Sequence, residues 1–427
     1  MQPVSENILH YIWQHRLLQG PLATNDGQPL RILHPGNHNT DGGPDFTDAR
    51  LIIGTTLWAG NIEIHTLASD WQRHAHNLNR AYDNVILHAV YVADTPITIQ
   101  GGRPIPTLTL APYIPATLLA NSHTLLTPSQ GSSLPCAPWL SQIPEPVVHA
   151  ALERLLVERL ETKCTLVRSL LDESQGNWEQ CCYLLVARYF GAPVNALPFQ
   201  LLAQATPQSL LARWRDQPQR LEALLLGQAG LLQGYFSDSY PRSLQADYQA
   251  IAAASSLHSI SPSLWQHLRL RPAAFPAVRI SQFAQLISRS HSLFSSLLDT
   301  TDPEDLTALF DVQASPYWDN HYRIDHPSPG SPKRVGTPFI HRLLINAWAP
   351  LLFQYGTSHD DQSLKDRAID LLHALPAERP AALRPYIQAG LVPRSAAHSQ
   401  ALLQLSSARC HQHQCLNCQI GYKIITK

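Results

Sequence analysis

The stretch Leu57–Thr66, LWAGNIEIHT, constrains the fold more than any other part of the chain. Ile62 and Ile64 alternate with Glu63 and His65, so a period of two puts the carboxylate and the imidazole on one face of a strand. The apolar run from Ala49 to Ile53 precedes it, and Gly54-Thr55-Thr56 between them supplies the turn of a hairpin. Upstream, His34 to Asp45 is rich in Gly, Asn and Pro and reads as a loop that ends on Pro44-Asp45. From His34 to His65, carboxylates and imidazoles gather on one hairpin, and the remaining elements read as its support.

Around this hairpin the pattern predicts a helix over residues 5–18, with Ile8, Leu9, Ile12, Leu17 and Leu18 near one face and Ser5 at its start. Leu30 to Leu33 reads as a short first strand. Residues 69–83 read as a polar loop or helix anchored by Trp71 and Tyr82. NVILHAVYV, residues 84–92, reads as a buried strand, and Pro96 to Leu110 as two short strands around Gly101-Gly102. Beyond a Ser/Pro-rich connection at 127–146 the period changes. The segment PVVHAALERLLVERLETKCTLVRSLL is amphipathic at helical spacing, and further helical runs follow at 177–190, 208–228, 243–256, 280–298, 339–353 and 362–374. Residues 299–338 read as a long ordered loop. The expected fold class is therefore α+β: an N-terminal α/β core over 1–126, a linker at 127–146, a large all-α domain over 147–405, and a Cys-rich tail over 406–427.

Composition narrows the function classes. With 427 residues, 44% apolar and only 15% charged, the chain is globular and long enough for two or three domains. Its net charge of −1 argues against a non-specific nucleic-acid coat but leaves room for a local basic groove. The N-terminus, MQPVSENILHYIWQHRLL, has neither a basic region nor an unbroken apolar one, so it does not read as a signal peptide. No apolar run reaches the length of a spanning helix, so no membrane role is expected. Seven cysteines without a secreted-type framework make the cytoplasm the expected location.

Hydrolysis of a phosphodiester needs oxygen ligands that hold a divalent cation near the scissile phosphate. Asp45 leads into the hairpin and Glu63 lies on its second strand, so this pair is the candidate metal set. Pro44-Asp45 followed by Glu63-Ile64-His65 resembles the motif of the PD-(D/E)XK nuclease superfamily, as does the order of helix, three strands, intervening segment and strand. The resemblance implies a restriction-endonuclease-like core, a metal-dependent nuclease acting on DNA or RNA, and Asp45 and Glu63 as ligands of Mg or Mn. Glu6, on the first helix, matches the acidic residue that many members supply there. The departure is His65, which stands where the superfamily has Lys. A neutral imidazole can orient water or bind metal but gives no fixed positive charge. The alternative is a catalytically silent nuclease-like scaffold that binds nucleic acid or a protein partner. A bland reading of the motif also stands: Glu63 and His65 as the solvated face of a hairpin, and Asn37 to Gly43 as turn chemistry. Other metal sets are open through His34, His38, or His74 with His76. The last two diverge on a helix, converge on an extended segment, or simply face solvent.

Over nearly its full length the chain also resembles a family of uncharacterised bacterial proteins known as a domain of unknown function. The stretches that carry this are GPDFTDARL, WAGNIEIH, SDWQRHAH, NVILHAVY, RPAAFPAVRISQFAQLI and CLNCQIG.

Cys410, Cys415 and Cys418 follow a C-x4-C-x2-C spacing in a polar segment, where thiols are hard to explain as core packing. Three thiolates need a fourth ligand to hold zinc or an iron–sulfur cluster. His411 or His413 would complete a local zinc site, and Cys136 a more distributed one. Some PD-(D/E)XK nucleases build an iron–sulfur cluster from three C-terminal cysteines and one distant one; zinc is the first expectation here. Cys164, Cys181 and Cys182 sit in helical patterns as core thiols. In the helical domain, Arg269, Arg271 and Arg279, with Lys333, Arg334 and Arg342, offer a surface for phosphates or a protein partner. Ion pairing with neighbouring acids is their ordinary use.

Overall fold

The computed structural model describes residues 4–98, 104–126 and 134–427. Within these bounds the chain has an N-terminal mixed sheet with a covering helix, a large all-α region and a C-terminal segment carrying the cysteines. It divides into two compact units, one made of Met1–Ala151, Pro385–Leu391 and Ser406–Lys427, the other of Leu152–Arg384 and Val392–Leu405. No helix among the described residues is long and apolar enough to cross a membrane.

In the first unit, helix α1 (Glu6–Gln14) buries Ile8, Leu9, Tyr11, Ile12 and Trp13 and packs against the sheet. Trp13 also donates its ring N–H to the Pro35 carbonyl at 2.9 Å, which ties α1 to the loop before the hairpin. The strands are β1 (Leu22–Ala23), β2 (Pro29–His34), β3 (Asn37–His38), β4 (Phe46–Ile53), β5 (Thr56–Leu67), β6 (Val85–Val92) and β7 (Thr107–Thr109). Their order is β1-β2-β4-β5-β6-β7, with β3 paired to β4. Pairing is antiparallel from β1 to β5 and parallel from β5 through β7. The hairpin turn is tighter than the sequence pattern implies. Ile53 pairs with Thr56, leaving Gly54 and Thr55 as a two-residue turn with Gly54 at φ +61°, a conformation that favours glycine. Gly60 is needed for another reason: a Cβ there would lie 2.5 Å from Ile86 Cγ2 and 2.7 Å from the Asn84 carbonyl oxygen.

Two expectations about the first unit need adjusting. The loop before the hairpin contains the short β3, and β4 begins at Phe46 rather than Ala49 because a bulge adds one residue between them. Asp48 takes φ +57° at this bulge. Bulges bend a strand and re-aim its neighbours, and this one lies beside Asp45. The Gly101-Gly102 turn and residues 127–133 of the connection fall outside the described residues.

The helical unit is a succession of packed helices, among them Trp178–Phe190 and Ala349–Ser358. Two expected long helices are broken, 208–228 into Gln208–Trp214 and Pro218–Gln228, and 280–298 into Pro276–Arg289 and Leu293–Asp299. Pro218 explains the first break, because it cannot continue a helix but suits a new first turn. The expected loop 299–338 contains a helix, Pro303–Leu309, and a small hairpin of His321–Arg323 with His326–Pro327.

Candidate metal centre

Glu63 and His65 do share one face of β5, and that face is buried rather than solvated, with exposures of 4% and 2%. β6 runs parallel beside it and pairs His88 with Glu63, which puts a fully buried second imidazole next to the first. His65 Nδ1 lies 2.9 Å from His88 Nε2. Burial and the neighbouring imidazoles push the His65 pKa down to about 2, and burial pushes that of His88 down to about 3. Both rings are therefore neutral near pH 7, the state a metal ligand requires.

Two more imidazoles arrive from the crossover between β5 and β6. The short helix α2 (Asp70–Arg73) ends at His74, Ala75 takes φ +57°, and a 3₁₀ turn, His76–Leu78, follows. This left-handed residue reverses the chain between the two histidines. Their rings then converge although the segment is neither extended nor one continuous helix. His74 Nδ1 is 3.2 Å from His65 Nε2, and His76 Nε2 is 3.0 Å from Glu63 Oε1. His74 remains exposed and His76 half-buried, and Trp71 and Tyr82 support the crossover. Tyr82 stacks on His76 with ring centroids 3.8 Å apart.

Ligand atoms of His65, His74 and His76 all lie within 4.8 Å of one another, a spacing that can hold a metal ion. Glu63 Oε1 adds a fourth donor, 3.4 Å from His65 Nε2. Ligand atoms around one tetrahedral ion with bonds of about 2.0–2.1 Å sit roughly 3.3–3.4 Å apart. The contacts of 3.0, 3.2 and 3.4 Å thus match donors facing a common point. When His65 donates through Nδ1 to His88, its Nε2 turns a lone pair toward the Glu63 carboxylate. A cation between them relieves that repulsion. Burial raises the Glu63 pKa, against the opposing contact with His76.

The carboxylate pair singled out from the sequence is joined by backbone bonds. The Asp45 amide donates to Glu63 Oε2 at 3.1 Å, and the Ile64 amide donates to Asp45 Oδ2 at 2.8 Å. From α1 the residue that reaches Asp45 is His10, one helical turn beyond Glu6, with Nε2 at 3.2 Å from Asp45 Oδ2. Burial lowers the His10 pKa, but Asp45, Glu6 and Glu63 more than reverse this, and the net shift is upward. Glu6 acts on the group through its charge on His10. His34 is taken up locally, its Nδ1 accepting from the Gly36 amide at 3.1 Å, while His38 packs on Phe46. His10 and His88 were not among the candidate residues. The available signals were an imidazole one turn after Glu6 and a lone His within an otherwise apolar strand.

Cys136, Cys410, Cys415 and Cys418 lie in the same unit. Cys136 precedes the helix Ala137–Leu140, Cys415 opens a 3₁₀ turn, and Cys418 precedes the helix Gln419–Ile425, whose Tyr422 amide donates to the Cys418 carbonyl at 2.7 Å. Gly421 lets this helix fold back, since a Cβ there would sit 2.0 Å from the Cys415 carbonyl oxygen. Lys427 Nζ donates to Gln142 Oε1 at 2.7 Å, joining the C-terminus to the segment that follows Cys136. All four thiols are free and half-buried. Burial first, and then Cys410, Cys418 and Cys415, push the Cys136 thiol up to about 12. No three of their sulfurs lie within 4.8 Å of one another, and His411 and His413 are exposed.

No curated protein and no solved structure matches the chain. One family model does, described as a protein of unknown function (DUF2851), and it matches residues 6–380. Its span takes in Glu63, the three clustered histidines, the sheet that carries them and most of the helical unit, and the chain belongs to this DUF2851 family.

Proposed function

We propose that the chain is a metal-dependent phosphodiesterase acting on DNA or RNA, a variant of the PD-(D/E)XK type. The observation that carries this reading is the convergence of His65, His74 and His76 on Glu63 Oε1, beside the Asp45–Glu63 pair. Three imidazoles and a carboxylate suit manganese or zinc better than magnesium, which prefers oxygen donors. A divalent cation bound there would stabilise negative charge on a phosphate and acidify an attacking water. Glu63 and the three imidazoles would hold the cation, with His88 setting the tautomer of His65. Asp45 holds Glu63 in place through the paired backbone bonds. His10, with its raised pKa, hands a proton to the departing oxygen. Asp45, and after it the Glu6 charge, favour the protonated form of His10. Purified protein incubated with Mn or Zn on single- and double-stranded substrates tests the reading. Cleavage should be lost in Glu63→Ala and Asp45→Ala, and equal activity in all three proteins would end it.

The second reading is a silent scaffold that binds nucleic acid or a protein partner. It is favoured by His65, which stays neutral where the superfamily has a Lys cation. Full metal binding without cleavage of any substrate would select it.

We further propose that Cys136, Cys410, Cys415 and Cys418 bind a thiophilic metal. Support comes from four thiols of two distant segments, one with Cys136 and one with Cys410, Cys415 and Cys418, that influence one another electrostatically. Sulfurs around a single zinc ion sit roughly 3.8 Å apart. Either zinc or an iron–sulfur cluster would suit such a set of thiolates. Metal analysis with an absorption spectrum separates the two, and a folded, metal-free protein would refute both.

A further inference from the structure

The helical unit contains a cavity of about 570 Å³ whose charged lining is all of one sign: Arg269, Arg271, Arg279 and Arg342, with no carboxylate. Elsewhere in this unit arginines are occupied in ordinary ways. Arg334 pairs with Asp311, and Arg367 donates to the carbonyls of Leu297, Leu298 and Thr300 at a helix end. Among the described residues none of the four cavity arginines forms an ion pair, contrary to the ordinary expectation for such residues.

The cavity is held open by packing rather than by counter-charge. Arg279 lies in the first turn of the helix Pro276–Arg289. Its guanidinium rests on the buried Phe339 ring at 3.7 Å and donates to Gln282 Oε1 at 2.9 Å. Arg342 approaches the same ring at 5.6 Å. Phe339 thus positions two like charges without neutralising either. Burial, and then the Arg342 charge, hold Arg279 down to about 10, and no acid acts against them. The loop with Arg269 and Arg271 is fixed as well. Asn195 donates to the Gln266 carbonyl at 2.8 Å and accepts from its amide at 2.9 Å, and Trp265 donates to the Ala229 carbonyl at 2.8 Å. Arg269 is held at φ +64°, a strained conformation for a long side chain.

Four guanidiniums around one concavity repel one another until an anion enters. Their planar forks match phosphate oxygens in pairs. We propose that this cavity is a binding site for phosphoryl groups, of either a free nucleotide or the 5′ end of a nucleic-acid strand. Its volume is in the range of small-ligand pockets and takes a nucleotide-sized group. The proposal does not rest on the metal centre.

Calorimetric titration of the full chain at low salt tests it, with inorganic pyrophosphate, ATP and a short oligonucleotide with or without a 5′-phosphate. Binding should weaken with rising salt. Arg342→Gln and Arg271→Gln change exposed side chains and should each weaken binding by on the order of tenfold or more. Arg279→Gln should weaken it further, with circular dichroism checking its fold. Arg334→Gln, at an arginine already paired with Asp311, should leave affinity unchanged. Tight binding of ATP and pyrophosphate marks a nucleotide site, whereas binding confined to the 5′-phosphorylated strand marks a strand end. Absence of binding by every phosphate probe, or equal affinity in Arg342→Gln and Arg271→Gln, would overturn the proposal.

Discussion

Each unit of this protein buries a glutamate, and the two are surrounded in opposite ways. Glu222, on the helix Pro218–Gln228 of the helical unit, is fully buried. Trp318 donates to its Oε1 at 2.7 Å and Ser315 at 3.2 Å, and the hydroxyls of Ser281 and Tyr240 also face it. These partners are neutral donors, gathered on Oε1, while Oε2 has no hydrogen-bond partner among the described residues. Glu63 is nearly as buried, but besides the Asp45 amide its neighbours are the imidazoles of His65 and His76, with His74 beside His65. Burial alone therefore does not mark a functional carboxylate. What sets Glu63 apart is the convergence of three imidazoles beside its Oε1.

That contrast breaks most visibly if Glu63 is replaced. Glu63→Ala should lower cleavage by about 10²–10³-fold, measured on the substrate that wild type cuts best. Next in size is linkage: at a hundred times its Kd, Mn should stabilise the protein by about 2.7 kcal/mol, read from denaturant unfolding with and without metal. Glu222→Ala should leave that increment intact. His88→Phe should reduce metal affinity about 10–100-fold by freeing the His65 tautomer, a change that metal titration reads directly. Glu222→Ala should cost about 1–3 kcal/mol of stability by orphaning the Trp318 N–H, whereas Glu222→Gln keeps an acceptor there. The smallest effect is in pH. Burial raises the Glu222 pKa above its ordinary 4.5, so its contribution is full below that value and is lost as pH rises through the raised one. Melting temperature followed from pH 4 upward should decline more in wild type than in Glu222→Gln. Parallel curves would remove Glu222 as the cause.

Much of the hairpin was legible because alternation over Ile62 to His65 fixes which side chains share a face. The Asp45–Glu63 pairing was legible in part: the motif named both residues, but the bulge at Asp48 that aims them is set by tertiary register. The converging histidines were less accessible. His74 and His76 meet because Ala75 adopts a left-handed conformation, and alanine carries no sequence signal for it. His88 reaches His65 through parallel pairing across a crossover, a long-range contact that no local pattern encodes. In the helical unit the arginine segments stood out by composition, but their lack of acidic partners is a property of packing.

The most direct test is a crystal structure of the protein grown with Mn, with anomalous scattering measured above and below the Mn edge. The account predicts an Mn peak within bonding distance of Glu63 Oε1 and of the ring nitrogens of His65, His74 and His76, absent in His74→Ala and His76→Ala. Well-ordered side chains at these positions with no peak among them, or a peak unchanged in both variants, would contradict it.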